Sequence, residues 1–137
     1  MLCFDLYAAS RSVTSVYRVL LEGLGVTYPQ YLVLIVLWRA GPCQVKELAE
    51  RLHLDYGTLT PLLRRMEVGG LVTRRRRPED ERSVEIALTT KGSALEKPAR
   101  ELQPAIHAAL GLSRADAIAL QETLRHVTTS ATRAAAG

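Results

Sequence analysis

The sequence predicts a mainly α-helical fold with one small β-hairpin, and three features of the chain predict it. Apolar residues return at three- and four-residue steps over most of its length. The period falls to two only between Leu71 and Leu88. Glycines and prolines fall between the helical segments, where helix ends and turns use them. With 137 residues, 47% hydrophobic and 23% charged, and a mean hydropathy of +0.03, the chain has the size and composition of one folded domain spanning 1–137 and not of a disordered polymer.

Each element follows in order. Leu2, Leu6, Val13, Val16, Tyr17 and Leu20 predict a first helix over about 2–22, stopping near Gly23 and Gly25. The eight apolar residues from Tyr31 to Trp38 fit a buried strand or a helix buried on all sides. Thr27 with Pro29 as a start and Gly41-Pro42 as a stop favour the helix. In VKELAERLHL, Val45, Leu48, Ala49 and Leu52 share one face of a short helix. In LDYGTLTPLLRRMEVGG, Asp55 can cap and Leu59, Leu62, Leu63 and Met66 recur at helical spacing, with Gly69-Gly70 as the end. Pro61 leaves two starts open: a shortened helix capped by Thr60, or a slightly kinked one from about Tyr56.

LVTRRRR, a turn at PEDE, and RSVEIALT, where Val84, Ile86 and Leu88 alternate with Ser83, Glu85 and Ala87, predict a two-stranded hairpin. Thr89 and Gly92 open a helix bent or broken at Pro98 and Pro104. Ser113 and Asp116 form a capping box for a last helix running toward Ala135, with a loosely ordered alanine-rich tail. A helix-turn-helix followed at once by an arginine-rich hairpin is a winged helix-turn-helix, here over about 28–89.

Charge and composition narrow the function. The longest apolar run is too short to cross a bilayer, and no charged segment leads into an apolar one at the N-terminus, so neither membrane insertion nor secretion is expected and the cytoplasm is the expected compartment. Cys3 and Cys43 form no CxxC, and His53, His107 and His126 are scattered singly, which predicts no disulfide scaffold, metal site or cofactor. The net charge of +4 is mild, but between Arg64 and Arg77 six arginines face one acid, Glu67, for a local charge of +5. On the helix after Asp55 the apolar positions face inward. Tyr56, Thr58, Thr60, Arg64 and Arg65 are left outside, the residue types that reach phosphates and base edges. Arg74, Arg75, Arg76, Arg77 and Arg82 on the hairpin can follow the backbone of a duplex or enter its minor groove, so double-stranded DNA is the expected partner.

Cys3 sits at the start of a helix, whose dipole and free amides favour a thiolate, with Tyr7 one turn on. A thiolate is the species that attacks a peroxide oxygen. The residues alone leave a second reading open, a small apolar packing residue.

DERSVEIALT matches the MarR-family wing pattern at Asp80, Arg82, Leu88 and Thr89. LCFDLYAASR, VTYPQYLVLIVLW and the segment VKELAERLHLDYGTLTPLLRRMEVGG resemble the organic-hydroperoxide sensors within that family, and the resemblance covers residues 2 to about 92. It implies a homodimeric repressor of a palindromic operator, dimerised through its N- and C-terminal helices, about 2–22 and 90–135. It further implies that Cys3 is the peroxide-reactive thiolate, that Tyr7 and Tyr17 hydrogen-bond it, Tyr17 across the dimer, and that Tyr28 lies near the pocket. No cysteine follows Cys43, so a sulfenic acid at Cys3 is completed by a small-molecule thiol or by over-oxidation, and Cys43 has no assigned role. Tyr56 stands where such proteins commonly have a small hydroxyl residue, and the run from Arg74 to Arg77 is more basic than usual, which favours salt-sensitive affinity. Two rival readings are a repressor released by non-covalent binding of a small aromatic ligand and, with less support, a thiol peroxidase. The chain is not expected to be an enzyme.

Overall fold

The computed structural model describes residues 1–77 and 80–137, and at 77 and 80–82 the backbone alone. Helix α1 runs from Leu2 to Leu21 without a break. Its polar middle is helical too, with hydroxyls bonding back to carbonyls one turn earlier, Thr14 to Ser10 at 2.8 Å and Ser15 to Arg11 at 3.0 Å. A 3₁₀ turn over Glu22–Leu24 then stops at Gly25, whose φ of 71° suits glycine.

The apolar run from Tyr31 to Trp38 is helical. Helix α2, Tyr28–Ala40, starts in a complete capping box: Thr27 Oγ1 accepts from the Gln30 amide at 3.3 Å, and Gln30 Oε1 accepts from the Thr27 amide at 3.1 Å. Tyr31, Val33, Leu34 and Leu37 are buried, so α2 is the central helix of the core. Helix α3, Val45–Leu52, buries Leu48, and His53 closes it in the left-handed region at φ 54°. Helix α4 spans Tyr56–Val68, the longer of the two starts that Pro61 left open. Asp55 settles it: its Oδ1 accepts from the Thr58 amide at 2.7 Å, and the Thr58 side chain first, then this amide, hold the carboxyl below its usual range. Pro61 is exposed and forgoes the one helical bond that Gly57 would accept.

The expected hairpin is the larger part of a three-stranded antiparallel sheet, ordered β1-β3-β2. Strand β2 is Val72–Arg77 and β3 is Asp80–Leu88, paired Val72 with Leu88, Arg74 with Ile86 and Arg76 with Val84. The added strand β1 is Cys43–Gln44, pairing Cys43 with Ile86 and Gln44 with Glu85. Two residues carry no readable period, so this strand exists through its partner. Of the expected PEDE turn, Pro78 and Glu79 lie outside the described residues, and β3 has begun by Asp80, earlier than the sequence implied.

After the sheet, the chain is helical in pieces: α5 Thr90–Ala94, α6 Glu96–Glu101 and α7 Gln103–Leu110. Helix α8, Arg114–Ala136, is capped by Ser113, whose side chain accepts from the Asp116 amide. The alanine-rich tail, expected to be loosely ordered, is helical through Ala136, in keeping with alanine's top helix propensity.

By its contacts the chain divides into two compact units, residues 1–103 and 104–137. The first holds a core built on Leu21, Leu34, Leu37, Leu48, Leu59, Leu63, Met66 and Ile86, all essentially inaccessible. In the second, α8 has no buried residue. Among the described residues, no single helix is long and apolar enough to cross a membrane.

A polar clasp joins the end of α4 to the segment after β3. The Thr89 hydroxyl lies 2.6 Å from the Gly70 carbonyl and 3.1 Å from that of Leu71, and Lys91 Nζ donates to the Gly69 carbonyl at 3.0 Å. Trp38 Nε1 donates to the Gly92 carbonyl at 3.0 Å, and a Cβ at Gly92 would overlap the carbonyl oxygen of Leu71. Gly92→Ala is therefore expected to destabilise the fold by about 2–4 kcal/mol, through backbone overlap with no flexible atom to yield. Trp38→Phe, which leaves one carbonyl without its donor, should cost about 1 kcal/mol. Urea unfolding midpoints order the two; a Gly92→Ala variant as stable as wild type would contradict the packing described.

Candidate nucleic-acid interface and thiol site

The four buried side chains of α4, Leu59, Leu62, Leu63 and Met66, fix which way the helix faces. Tyr56 is 55% exposed, Thr58, Arg64 and Arg65 are exposed, and Thr60 is half-buried. The outward side of this second helix of the helix-turn-helix is thus two arginines, two threonines and a tyrosine, of which the Thr58 side chain also bonds the Asp55 carboxylate. On β2, Arg75 and Arg76 are exposed while Arg74 is half-buried, its Nε buried and without a hydrogen-bond partner among the described residues. The side chains of Arg77, Asp80 and Arg82 lie outside the described residues.

Cys3 is exposed in the first turn of α1, among the exposed apolar side chains of Leu2, Phe4 and Leu6. Tyr7, 66% exposed, stands one turn further along the same face. Its hydroxyl accepts a hydrogen bond from Arg11 Nη1 at 3.1 Å, and the guanidinium carbon is 5.6 Å from the ring centroid.

Tyr17 lies elsewhere. It stacks on Tyr28, centroids 4.3 Å apart and planes within 10°, and it tilts against Tyr31 at 5.8 Å. Tyr31 in turn meets the edge of Trp38 at 6.1 Å and accepts a hydrogen bond from Gln103 Nε2 at 2.8 Å. Burial, and next the Tyr28 and Tyr31 phenols, push Tyr17 up to about 12, and burial also raises Tyr28. Both hydroxyls keep their protons and can donate. Fourteen residues of continuous helix separate Cys3 from Tyr17, roughly 21 Å along the axis, so within one chain the Cys3-Tyr7 pair and the Tyr17-Tyr28 pair are apart. Beside Tyr28, a groove of about 640 Å³ is lined by Thr14, Arg18, Val19 and Pro29.

Cys43 is a core residue. Its Sγ contacts the Gly41 carbonyl at 3.3 Å, and burial first, then the Glu47 carboxylate, raises its thiol pKa. It is neutral and shielded, the opposite of a reactive thiol. Among the described residues, no group of three or more His, Cys, Asp or Glu could hold a metal ion.

The sequence reading passed over Arg11, Tyr31, Trp38 and Gln103. Arg11 had a signal, its four-residue spacing from Tyr7. Tyr31 and Trp38 had been counted only as apolar, and Gln103 had no local signal.

Two helices joined by a short turn, with the second presenting a basic polar face beside an antiparallel arginine-bearing hairpin, define a winged helix-turn-helix protein. The MarR family profile matches residues 26–84. The chain is 52% identical over 113 residues to the organic hydroperoxide resistance transcriptional regulator of Bacillus subtilis, covering 82% of this chain and 75% of that one. It is 38% identical to the HTH-type transcriptional regulator SarZ of Staphylococcus saprophyticus over 125 residues, 91% of this chain and 86% of the relative. Among solved structures, reduced AbfR of Staphylococcus epidermidis bound to DNA superposes with a TM-score of 0.75 at 33% identity, over 96% of this chain and 91% of the other. A mutant MarR from E. coli complexed with operator DNA gives 0.83 at 27%, over 92% of each. The chain belongs to the MarR family.

Two outcomes follow from these environments. A chromogenic disulfide reagent at neutral pH should titrate Cys3 in the native protein and Cys43 only after denaturant is added; equal rates for both would refute the buried setting of Cys43. An unfolded tyrosine loses its proton near 10 and native Tyr17 only near 12, so the native state binds more protons in that window and stability falls as pH rises through it. Tyr17→Phe should flatten this fall, seen in denaturant midpoints measured between pH 9 and 11.5, and an unchanged slope would count against it.

Proposed function

We propose that this chain is a cytoplasmic, homodimeric transcriptional repressor that binds a palindromic operator and releases it when organic hydroperoxide oxidises Cys3. The observation that carries the reading is the setting of Cys3. It is an exposed thiol in the first turn of a helix with a tyrosine one turn on, in a chain 52% identical to a hydroperoxide resistance regulator.

The reading face is α4 with the wing. Arg64 and Arg65 serve phosphates or guanine edges, and Tyr56, Thr58 and Thr60 serve phosphates or bases. Arg74, Arg75, Arg76 and Arg77, with Asp80 and Arg82, serve the wing. Dimerisation through the terminal helices accounts for apolar surface that a single chain leaves open: Leu2, Phe4 and Leu6 on α1, and Ile118, Leu120, Leu124 and Val127 on α8. It also explains how Tyr17, roughly 21 Å from Cys3 in its own chain, can serve the thiol of the partner, with Tyr28 stacked behind it.

In the chemical step, the Cys3 thiolate attacks a peroxide oxygen of ROOH. An S–O bond forms and the O–O bond breaks. The alkoxide leaves and takes a proton as ROH, and the sulfur is oxidised to the sulfenic acid. A small-molecule thiol then displaces water to give a mixed disulfide, or further peroxide over-oxidises the sulfur. Loss of the thiolate's negative charge removes the partner of the tyrosine hydroxyls, and the interface repacks. A small change in the separation of the two α4 helices is enough, since half-sites must meet one face of a duplex about 34 Å apart.

The groove beside Tyr28 favours a second reading, release by a small aromatic ligand with no role for Cys3. Gel shifts with and without cumene hydroperoxide separate the two. Wild type should release its operator on peroxide treatment while Cys3→Ser stays bound; release of both would defeat the redox reading.

A further inference from the structure

We propose that Arg11 is a positioning residue for the thiol: by donating to the Tyr7 hydroxyl it leaves that hydroxyl's own hydrogen for Cys3. The inference rests on the redox reading above and adds to it a residue that the reading does not use.

The argument begins with what a guanidinium can do. It has N–H donors and no acceptor, so in the 3.1 Å contact from Arg11 Nη1 the Tyr7 oxygen is the acceptor. The phenol hydrogen cannot be spent on Arg11. Cys3, Tyr7 and Arg11 fall at four-residue steps on one face of an unbroken helix. Side chains on a helix lean toward its N-terminus and cover the preceding turn. The Arg11 guanidinium over the Tyr7 ring, 5.6 Å from its centroid, shows this lean. On the redox reading above, the O–H that Arg11 leaves free is the one that Tyr7 offers the thiol one turn earlier. A phenol that accepts from a cation is polarised into a stronger donor, because hydrogen bonds in series reinforce one another. Arg11 thus acts on the sulfur through Tyr7: it fixes the ring and strengthens the bond that a thiolate accepts and a sulfenic acid has less use for.

The test is the rate of sulfenic acid formation with cumene hydroperoxide from pH 5 to 9 in the full-length protein, for wild type, Arg11→Met, Arg11→Lys, Tyr7→Phe and the double variant Arg11→Met/Tyr7→Phe. Far-ultraviolet circular dichroism of each reduced protein reports its fold. At pH 7, Arg11→Met should react about fivefold to tenfold more slowly, with its pH-rate profile displaced to higher pH. Arg11→Lys, which keeps a cationic donor, should recover part of the rate, and the double variant should be no slower than Tyr7→Phe alone, since the two act as a unit. Helix content should not change in any variant. A profile for Arg11→Met that superimposes on wild type, or losses that multiply in the double variant, would overturn the inference and leave the redox reading standing. Oxidation that fails to release the wild-type operator, or peroxide release that persists in Cys3→Ser, would overturn both.

Discussion

The constraint on which the rest depends is the hydrogen bonding of the turn that follows α4. The last carbonyls of α4, those of Arg65, Met66 and Glu67, are met by the amides of Gly69, Leu71 and Gly70, which leaves the carbonyls of the turn itself to find donors while the chain swings into a strand through Gly70 at φ 75°. The Gly69, Gly70 and Leu71 carbonyls are met from a distant stretch of sequence by Lys91, by the Thr89 hydroxyl and by the Thr89 amide. Thr89 follows directly on β3, so the clasp that finishes α4 also fixes where the wing returns to the body. The clasp therefore ties the end of α4 to the base of the hairpin. The tight approach of Gly92 to Leu71 shows how little room the joint has.

From that joint a row of aromatic rings leads back to α1. Trp38 is tied to Gly92, Tyr31 packs on Trp38 and holds Gln103, and Tyr17 and Tyr28 stack beside Tyr31. Close-packed rings have no slack in which a displacement can be absorbed. Tyr17, proposed to serve the partner's thiol, and Tyr28 stacked behind it are thus the outer members of a packed row whose inner member touches the segment clasping α4. A change of interface at Tyr17 has a continuous set of contacts through which to alter the placement of the reading surface. This is a physical basis for the proposed release that needs no large rearrangement of either end.

Sequence legibility differed by element for identifiable reasons. Helix α4 and its outward residues were readable because Leu59, Leu62, Leu63 and Met66 carry a full helical period, and that period assigns the remaining positions to the other face. The run from Tyr31 to Trp38 had no period and was decided by its ends. Pro61 was undecidable locally, because two rules about helix starts conflicted, and the Asp55 cap resolved them. Strand β1 was invisible because its two residues become a strand only against β3, paired through Ile86 and Glu85. The thiol site was legible as residue types but not as an assembly. Its tyrosines fall into two separate pairs in one chain, and one of its neighbours, Arg11, announces itself only through a four-residue spacing that many surface pairs share.

The two cysteines show why residue type alone could not assign the site. Cys43 is paired in the sheet with Ile86, walled by core side chains and set near the Glu47 carboxylate, so both burial and charge oppose its ionisation. Cys3 is open to a reagent the size of a hydroperoxide and lies along a face that carries donors. The contrast has a consequence for recovery. A sulfenic acid at Cys3 needs a second thiol to become a disulfide, and the chain's other thiol, Cys43, is enclosed in the core where β1 leads into α3. On the proposed reading, then, the partner sulfur comes from solution. The fate of the oxidised repressor is set by the supply of small thiols relative to peroxide: a mixed disulfide that reduction can reverse, or an over-oxidised sulfur that it cannot.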